Sequence, residues 1–278
     1  LSLSLFGTED KLIKDFNINK LEFLTFFSAS LTIFIMGIFD DKKGLNANVK
    51  LLLILFIVFL YLLFDKNTII HELRFSFINN VIYLHSYSLP FTLLCFLLFI
   101  NAFNMFDGID MQCSFFSIFI FVILILFSEF TILSIYFLLQ IIFFTYLNMK
   151  KKCFLGDNGT LVLSFILSAL IIKSYNSSVS FLFADEIFLI MMLPGFELLR
   201  LALLRIYNKK HPFKADREHI HHYLLNNFTL LKTTLIIQSI IIVPFLINFY
   251  SKKTIIVIVA TLIIYSLVIY KFSKKKLN

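Results

Sequence analysis

Residues 51–64 read LLLILFIVFLYLLF, a run without a charged side chain, and the fold class follows from this block and others like it. A helix that crosses a bilayer needs about 20 predominantly apolar residues. Similar blocks on both sides predict nine transmembrane helices, at about residues 22–39, 50–64, 89–105, 111–127, 130–148, 159–174, 183–205, 230–249 and 254–271. The sequence therefore predicts an all-α polytopic membrane bundle, formed by one integral membrane domain over residues 1–278.

Composition supports the membrane assignment. The chain is 59% hydrophobic and 15% charged, with a mean hydropathy of +0.90, whereas soluble domains carry about 25% charged residues. The cysteines Cys95, Cys113 and Cys153 have no paired spacing, which argues against a disulfide framework and a zinc site. The chain starts at Leu1, and no charged region followed by a cleavage site, the pattern of a signal peptide, is visible. We therefore expect an N-terminally incomplete chain.

Lysine and arginine are unevenly divided between the two ends of the predicted helices. The first, third, fifth and seventh connections and the C-terminal tail hold fifteen of these residues, and the opposite end holds eight. Cytoplasmic loops of membrane proteins carry the excess of Lys and Arg, so the richer end is predicted to be cytoplasmic. The polar motifs lie at this same end, and the opposite helix ends look largely apolar.

Two polar clusters follow the first and third predicted spans. Asp40 and Asp41 could simply end a helix at the headgroups, but adjacent carboxylates at a membrane boundary are costly unless a cation or a proton neutralises them. The third span ends in NAFNMFDGIDM, which puts Asn101 and Asn104 on one helical face with Asp107 close by. Amide contacts between helices would explain one Asn, but two Asn and an Asp favour a functional site.

The fifth connection, NMKKKCFLGDNGT, leads directly into an apolar helix. Asp157, Asn158 or Thr160 could cap that helix. Gly156 and Gly159 would equally let backbone N–H groups approach an anionic ligand at the helix N-terminus. Gly-Lys-Ser/Thr is absent, so the loop is not a Walker A motif.

The seventh connection contains ADREHIHH at residues 215–222, with four side chains crowded into six positions: Arg217, His219, His221 and His222. The HIHH run lacks the internal Glu and the i, i+4 histidine spacing of a helical zinc protease site, and no Cys pair is near. Arginine and imidazole suit phosphate oxygens, although contact with lipid headgroups is the alternative. On the preceding span, Glu197 and Arg200 are expected to form an intrahelical ion pair.

The chain resembles the polyprenyl-phosphate N-acetylhexosamine-1-phosphate transferases in four stretches that occur in the same order: FDDKKGLNANVK, NAFNMFDGID, FLGDNGT and PFKADREHIHH. The last stretch is similar to the branch that uses UDP-N-acetylglucosamine or related UDP-N-acetyl-deoxyhexosamines. Thr160 replaces the family's more usual Ser, and Glu197 stands where Asp is commoner. The resemblance also implies that the chain lacks the first one or two spans of the family and an early cytoplasmic loop.

The resemblance implies transfer of a sugar-1-phosphate from a UDP-sugar to a lipid phosphate, with release of UMP. Mg²⁺, or Mn²⁺ in its place, would be held by Asn104 and Asp157, since magnesium prefers oxygen ligands. Asp40 and Asp41 would meet the lipid phosphate, with Asp40 favoured as a base. The implied catalytic residues are Asp40, Asp41, Asp157, His219, His221 and His222. The implied substrate-binding residues are Lys50, Asn101, Asp107, Asn148 and Arg217.

The implied partners are a UDP-N-acetylhexosamine, polyprenyl phosphate and the membrane, with no nucleic acid, and a homodimer stays open. The enzyme is expected in the bacterial inner membrane with its site facing the cytoplasm, serving O-antigen, capsule or another cell-envelope glycan. The alternatives are a phospho-MurNAc-pentapeptide transferase, whose histidine run lacks the Asp-Arg pair, and a non-catalytic scaffold. A transporter is a third alternative, and its ionisable residues should lie near the bilayer midplane or face both sides.

Overall fold

The computed structural model describes residues 19–177, 182–210 and 218–273. Within these ranges, a long helix occupies each of the nine predicted spans: α1 (Lys20–Lys43), α2 (Ala47–Phe64), α3 (Ser88–Phe106), α4 (Gln112–Phe127), α5 (Thr131–Met149), α6 (Gly156–Asn176), α7 (Ala184–Tyr207), α9 (Leu230–Ser251) and α10 (Thr254–Ser273). A short helix, α8 (Ile220–Leu225), precedes α9. Eight of these helices are long and apolar enough to cross a membrane, and α4 is shorter. The prediction of an all-α polytopic bundle is confirmed, with one β-hairpin added to it.

The helices extend further into polar sequence than the apolar blocks alone predict. Helix α1 continues to Lys43, where Gly44 adopts a left-handed conformation (φ 65°) and its N–H bonds back to the carbonyl of Asp40. Helix α2 begins at Ala47, which places Lys50 in its first turn. The backbone hydrogen bonds of a helix do not require apolar side chains, so apolar length underestimates these ends.

Helix α6 is the most buried of the candidate spans and lies at the centre of the bundle. Gly37 of α1 packs directly on it, because a Cβ at that position would lie 2.5 Å from the Asn158 Cα. Deeper in the bundle, the Phe165 ring of α6 lies 6.0 Å from that of Phe26 and 5.1 Å from that of Tyr61, measured between centroids. Helices in lipid associate through such close packing, and here it joins α1, α2 and α6 tightly.

The end of the bundle opposite the motifs carries an antiparallel hairpin, β1 (Glu72–Phe75) and β2 (Ile78–Tyr83). The Arg74 N–H donates to the Tyr175 hydroxyl at 2.6 Å, and the Ser76 N–H donates to Asp185 Oδ1 at 2.9 Å. These bonds fasten the hairpin to the ends of α6 and α7. The expectation that this end is largely apolar was wrong, because buried carboxylates and a lysine also lie here.

Candidate active site

A lysine bridges two of the predicted catalytic carboxylates at the motif end of the bundle, where α1, α3, α5 and α7 end. Lys50 Nζ lies 2.6 Å from Asp40 Oδ2 and 2.5 Å from Asp157 Oδ2. Asp40 is buried and also accepts a hydrogen bond from the Leu45 N–H, whereas the Asp157 side chain is 44% exposed. Lys50, which the resemblance assigns to substrate binding, joins helices α1, α2 and α6 through these two ion pairs.

Asp41 caps helix α6 from another helix. Its carboxylate accepts the backbone N–H groups of Asp157 at 3.0 Å and Asn158 at 3.3 Å. These groups have no partner within the helix, and a negative charge is favourable there. Gly156 suits this approach, because its φ is 66° and a Cβ would lie 3.2 Å from the Asp41 carboxylate. The cap is therefore Asp41 rather than a residue of the GDNGT segment.

A polar cavity of about 470 Å³ opens between α3, α5 and the start of α6. Both predicted metal ligands, Asn104 and Asp157, line it together with Asp107. The Thr160 hydroxyl lies within hydrogen-bond distance of two acceptors, Asn104 Oδ1 at 2.5 Å and the Asp157 carbonyl at 3.0 Å, so one side chain links the two predicted ligands. The exposed ring of Phe154 stands at the edge of the same cavity.

The donors around this cavity fit magnesium better than zinc. In the part of the chain that the structure describes, no group of three or more His, Cys, Asp or Glu side chains could hold a metal by itself. Magnesium commonly uses one or two protein oxygens together with substrate phosphates and water. Asn104 and Asp157 offer such oxygens beside open space, whereas structural zinc sites use four Cys or His ligands.

Asn148 organises the loop between α3 and α4. Its Oδ1 accepts the Met111 N–H at 2.7 Å, and its Nδ2 donates to Asp110 Oδ1 at 3.0 Å and to the Cys153 carbonyl at 2.9 Å. The side chain is thus committed to protein groups, and it places Asp110 on the cavity wall. Asp110 is a cavity residue that was not among the predicted site residues, although it belongs to the FDGID segment.

Asp107 and the histidine cluster meet at one turn. A Cβ on Gly108 would lie 1.9 Å from His221 Nε2, so the imidazole rests directly on this turn. The His221 ring centroid is 5.0 Å from that of His219 and 4.4 Å from that of His222. Burial raises the pKa of Asp107 to about 6, and the charges of Asp157 and Asp110 add to the shift. Burial, with the two neighbouring histidines, lowers the pKa of His221 to about 3, so this ring is neutral at pH 7.

A buried glutamate anchors the histidine cluster to α7. Arg200 Nη2 donates to Glu197 Oε1 at 3.0 Å, which confirms the expected intrahelical pair. The Ile220 N–H donates to Glu197 Oε2 at 3.1 Å, and Arg200 Nη2 also donates to the Glu218 carbonyl at 2.6 Å. The pair therefore holds the start of α8 in place. Arg217, predicted to bind substrate, lies outside the described residues.

Asn101 is a predicted site residue that does not join the other members of the site. Its Nδ2 donates to the Leu97 carbonyl of its own helix at 2.7 Å, and its side chain does not line the polar cavity. The other described members of the predicted set converge at the motif end: Asp40, Asp41, Lys50, Asn104, Asp107, Asn148, Asp157, His219, His221 and His222. The described residues of the four motifs thus lie together at one end of the bundle.

Comparison with known proteins agrees with this arrangement. The chain is 28% identical over 200 residues to a protein of Bacillus subtilis (strain 168) named probable undecaprenyl-phosphate N-acetylglucosaminyl 1-phosphate transferase, a match that covers 69% of this chain and 55% of the relative. It is also 28% identical over 217 residues to the undecaprenyl-phosphate alpha-N-acetylglucosaminyl 1-phosphate transferase of Thermotoga maritima. This second match covers 77% of this chain and 66% of that relative. The chain thus spans less than two thirds of the length of either relative.

A family model described as glycosyl transferase family 4 matches residues 23–175, more than half of the chain. The matched region runs from α1 to the end of α6 and includes Asp40, Lys50, Asp157 and the lining of the polar cavity except Leu230. The chain belongs to glycosyl transferase family 4.

Proposed function

We propose that this protein transfers N-acetylhexosamine-1-phosphate from a UDP-sugar to a polyprenyl phosphate such as undecaprenyl phosphate. UMP is released, and a lipid-linked sugar pyrophosphate is formed. The observation that carries the proposal is one polar cavity lined by Asn104, Asp107 and Asp157, beside the Asp40–Lys50–Asp157 ion pairs. The names of the two relatives support the same reaction class and N-acetylglucosamine as the sugar.

Asn104 and Asp157 are the residues that would hold Mg²⁺ against the diphosphate. When bound, the metal would offset negative charge on the phosphate oxygens as the bond between the two phosphates breaks. Lys50 adds a fixed positive charge 2.5 Å from the Asp157 carboxylate. The ion pair keeps the Asp157 carboxylate in one orientation, with its exposed side toward the cavity.

The lipid phosphate would arrive beside Asp40, Asp41 and Lys50. One of its oxygens attacks the phosphorus attached to the sugar, and the bond from that phosphorus to the oxygen of UMP breaks. The second pKa of a phosphate monoester is about 6, so the attacking oxygen is largely ionised at neutral pH. Both aspartates already accept hydrogen bonds from protein N–H groups. These bonds support a positioning role for the pair, in place of the base role first favoured for Asp40.

The nucleotide would occupy the part of the cavity between the α3–α4 loop and Phe154. Asp107 and Asp110 offer oxygen acceptors there, and the exposed Phe154 ring offers a flat apolar surface. The histidine cluster, with Arg217, would lie along the diphosphate. Since His221 is neutral, it would act as a hydrogen-bonding group rather than as a cation.

We further propose a bacterial inner-membrane location with the motif end facing the cytoplasm, and a product that serves a cell-envelope glycan such as O-antigen or capsule. The excess of Lys and Arg at that end supports the orientation. The Asp-Arg pair before HIHH, together with the names of the relatives, disfavours the phospho-MurNAc-pentapeptide transferase alternative.

The test is UMP release by purified protein in nanodiscs, supplied with undecaprenyl phosphate and a panel of UDP-N-acetylhexosamines. We expect release that requires Mg²⁺, and we expect Asp157→Asn to lower it at least about 100-fold, because transition-state charge stabilisation contributes on this scale. A matched control is Asp185→Asn, which removes a buried carboxylate at the opposite end of the bundle. Full activity of Asp157→Asn, or equal losses in both variants, would refute the assignment.

A further inference from the structure

A second ion triad lies at the end of the bundle away from the motifs. Lys173 Nζ is 2.5 Å from Glu22 Oε2 and 2.8 Å from Asp65 Oδ2, and all three side chains are buried. Every carboxylate oxygen of the triad has a partner: Lys173 Nζ also donates to Asp65 Oδ1 at 3.1 Å, the Tyr61 hydroxyl donates to Asp65 Oδ2 at 2.9 Å, and Asn67 Nδ2 donates to Glu22 Oε1 at 2.9 Å. We call Glu22, Asp65 and Lys173 the far triad, and Asp40, Lys50 and Asp157 the near triad.

The two triads join the same three helices. Helix α1 carries Glu22 near one end and Asp40 near the other. Helix α2 carries Lys50 in its first turn, and Asp65 directly follows its last residue. Helix α6 carries Asp157 and Lys173, whose separation along the axis is about 24 Å at 1.5 Å per residue. Each triad combines two carboxylates with one lysine, so α1, α2 and α6 are tied together at both ends by buried or half-buried ion pairs.

Stability alone is a weak explanation for the far triad. Buried ion pairs often contribute less than well-packed apolar side chains would, and their best-attested role is to fix register. Register needs such a device here, because apolar side chains favour one helix alignment in lipid only weakly over another. If α6 slid or rotated against α1 and α2, Lys173 would leave two buried carboxylates without a cation. Misaligned states are therefore disfavoured.

We propose that Glu22, Asp65 and Lys173 are positioning residues for the transfer reaction. They set the alignment of α1, α2 and α6 that brings Asp40, Lys50 and Asp157 within ion-pair distance on the other side of the membrane. Between the triads, Gly37 packs on α6, and the rings of Phe26, Tyr61 and Phe165 contact one another. The three helices therefore form a close-packed unit that transmits the alignment from one triad to the other. The inference rests on the proposed function wherever activity is its readout.

The first test compares Lys173→Met with Lys173→Arg in nanodiscs, with rates divided by the amount of folded protein. A displacement of 1 Å in a catalytic site can cost about 100-fold, so we expect kcat of Lys173→Met to fall ~10- to 100-fold. The KM for the UDP-sugar should change less than about threefold, because the nucleotide part of the cavity is built on the α3–α4 loop and α5. Arginine keeps the cation between the two carboxylates, and it should restore most of kcat.

The neutral triple variant Glu22→Gln, Asp65→Asn, Lys173→Met covers the case in which Lys173→Met fails to fold. Removing all three charges leaves no uncompensated buried ion, so this variant should insert, and its kcat should still fall. Asp185→Asn is the matched control, since that buried carboxylate lies at the same end but on α7. Near-normal kcat in the triple variant, or a loss no larger than in Asp185→Asn, would overturn the proposal, as would the absence of rescue by arginine.

A distance measurement tests the positioning role without any substrate. Spin labels would be placed at Lys42 on α1 and at Lys152 just before α6, both exposed, with the three cysteines replaced by serine. One narrow distance is expected for the parent protein and Lys173→Arg, and a shifted or broadened one for Lys173→Met. An unchanged distribution in Lys173→Met would overturn the proposal. A parent protein inactive on every UDP-sugar would contradict the proposed function, and the distances would then decide the positioning role.

Discussion

Replacing Gly108 by alanine would place a methyl group against the imidazole of His221. Gly108 has no left-handed φ, so its backbone accepts alanine without strain, and the contact with the ring is the main consequence. The added carbon would lie 1.9 Å from His221 Nε2 and 2.0 Å from Cε1, whereas ordinary contacts begin near 3.4 Å. Either the ring or the Asp107–Gly108 turn must therefore move by roughly 1.5 Å, a displacement of the size that disturbs catalytic alignment.

The expected effect on catalysis is large and can be estimated from that displacement. A misplacement of about 1 Å can lower a rate about 100-fold, which corresponds to roughly 2.7 kcal/mol of transition-state stabilisation. We therefore expect kcat of Gly108→Ala to fall about 100-fold in the UMP-release assay. Gly195→Ala is the matched control, because a Cβ there would meet no heavy atom within 4 Å apart from neighbouring backbone of its own helix, and alanine suits a helix interior.

A double-mutant cycle with His221→Ala identifies the cause of the loss. Once the ring is absent, the methyl group of Gly108→Ala has space, so the double variant should be no slower than His221→Ala alone. Contacting residues give such non-additive effects, whereas independent sites give additive ones. Multiplied losses in the double variant, or Gly108→Ala activity close to the parent level, would refute the contact between the histidine cluster and this turn.

Two further predictions concern the same cavity. The pKa of Asp107 is raised to about 6, so kcat/KM for the UDP-sugar should fall below pH 6 as the carboxylate gains a proton, and Asp107→Asn should remove that acid limb. Because its folded-state pKa is raised, this group stabilises the fold most at low pH and loses that contribution as the pH rises through about 6. An acid limb that persists in Asp107→Asn would assign the titration to another group. Asn148→Ala should lower the free energy of unfolding by about 1–3 kcal/mol, because it leaves the Met111 N–H without its partner. It should also raise the KM for the UDP-sugar, and an unchanged melting temperature and KM would contradict this role.

Most of the fold was predictable because the thickness of the hydrocarbon sets the length of a spanning helix. The nine apolar blocks correspond to nine helices, and the bounds differ by three or four residues only where polar turns prolong α1, α2 and α6. The hairpin at Glu72–Phe75 and Ile78–Tyr83 was not predicted. Its strands are short, and bonds to Tyr175 and Asp185, about a hundred residues away, hold it in place.

The candidate site was predictable in membership but not in its internal bonds. Motif order and the shared membrane side indicated that Asn104, Asp107 and Asp157 would converge, and they line one cavity. The bridge from Lys50 to Asp157 spans 107 residues of sequence, and no local pattern records it. Lys173 likewise read as one basic residue at a helix end, because its carboxylate partners lie far away in the chain.

The ion pair between Glu22 and Lys173 has a consequence for how the protein is made. The two residues are 151 positions apart, and at a synthesis rate of about 5–20 residues per second roughly 8–30 s pass between them. During that interval α1 and α2 enter the bilayer with two carboxylates that have no lysine to bind. Because both carboxylates lie near one membrane surface, they can stay hydrated until α6 arrives. Biogenesis would then close this three-helix unit late, and the ion pairs of Lys50 with Asp40 and Asp157 would form only after that step.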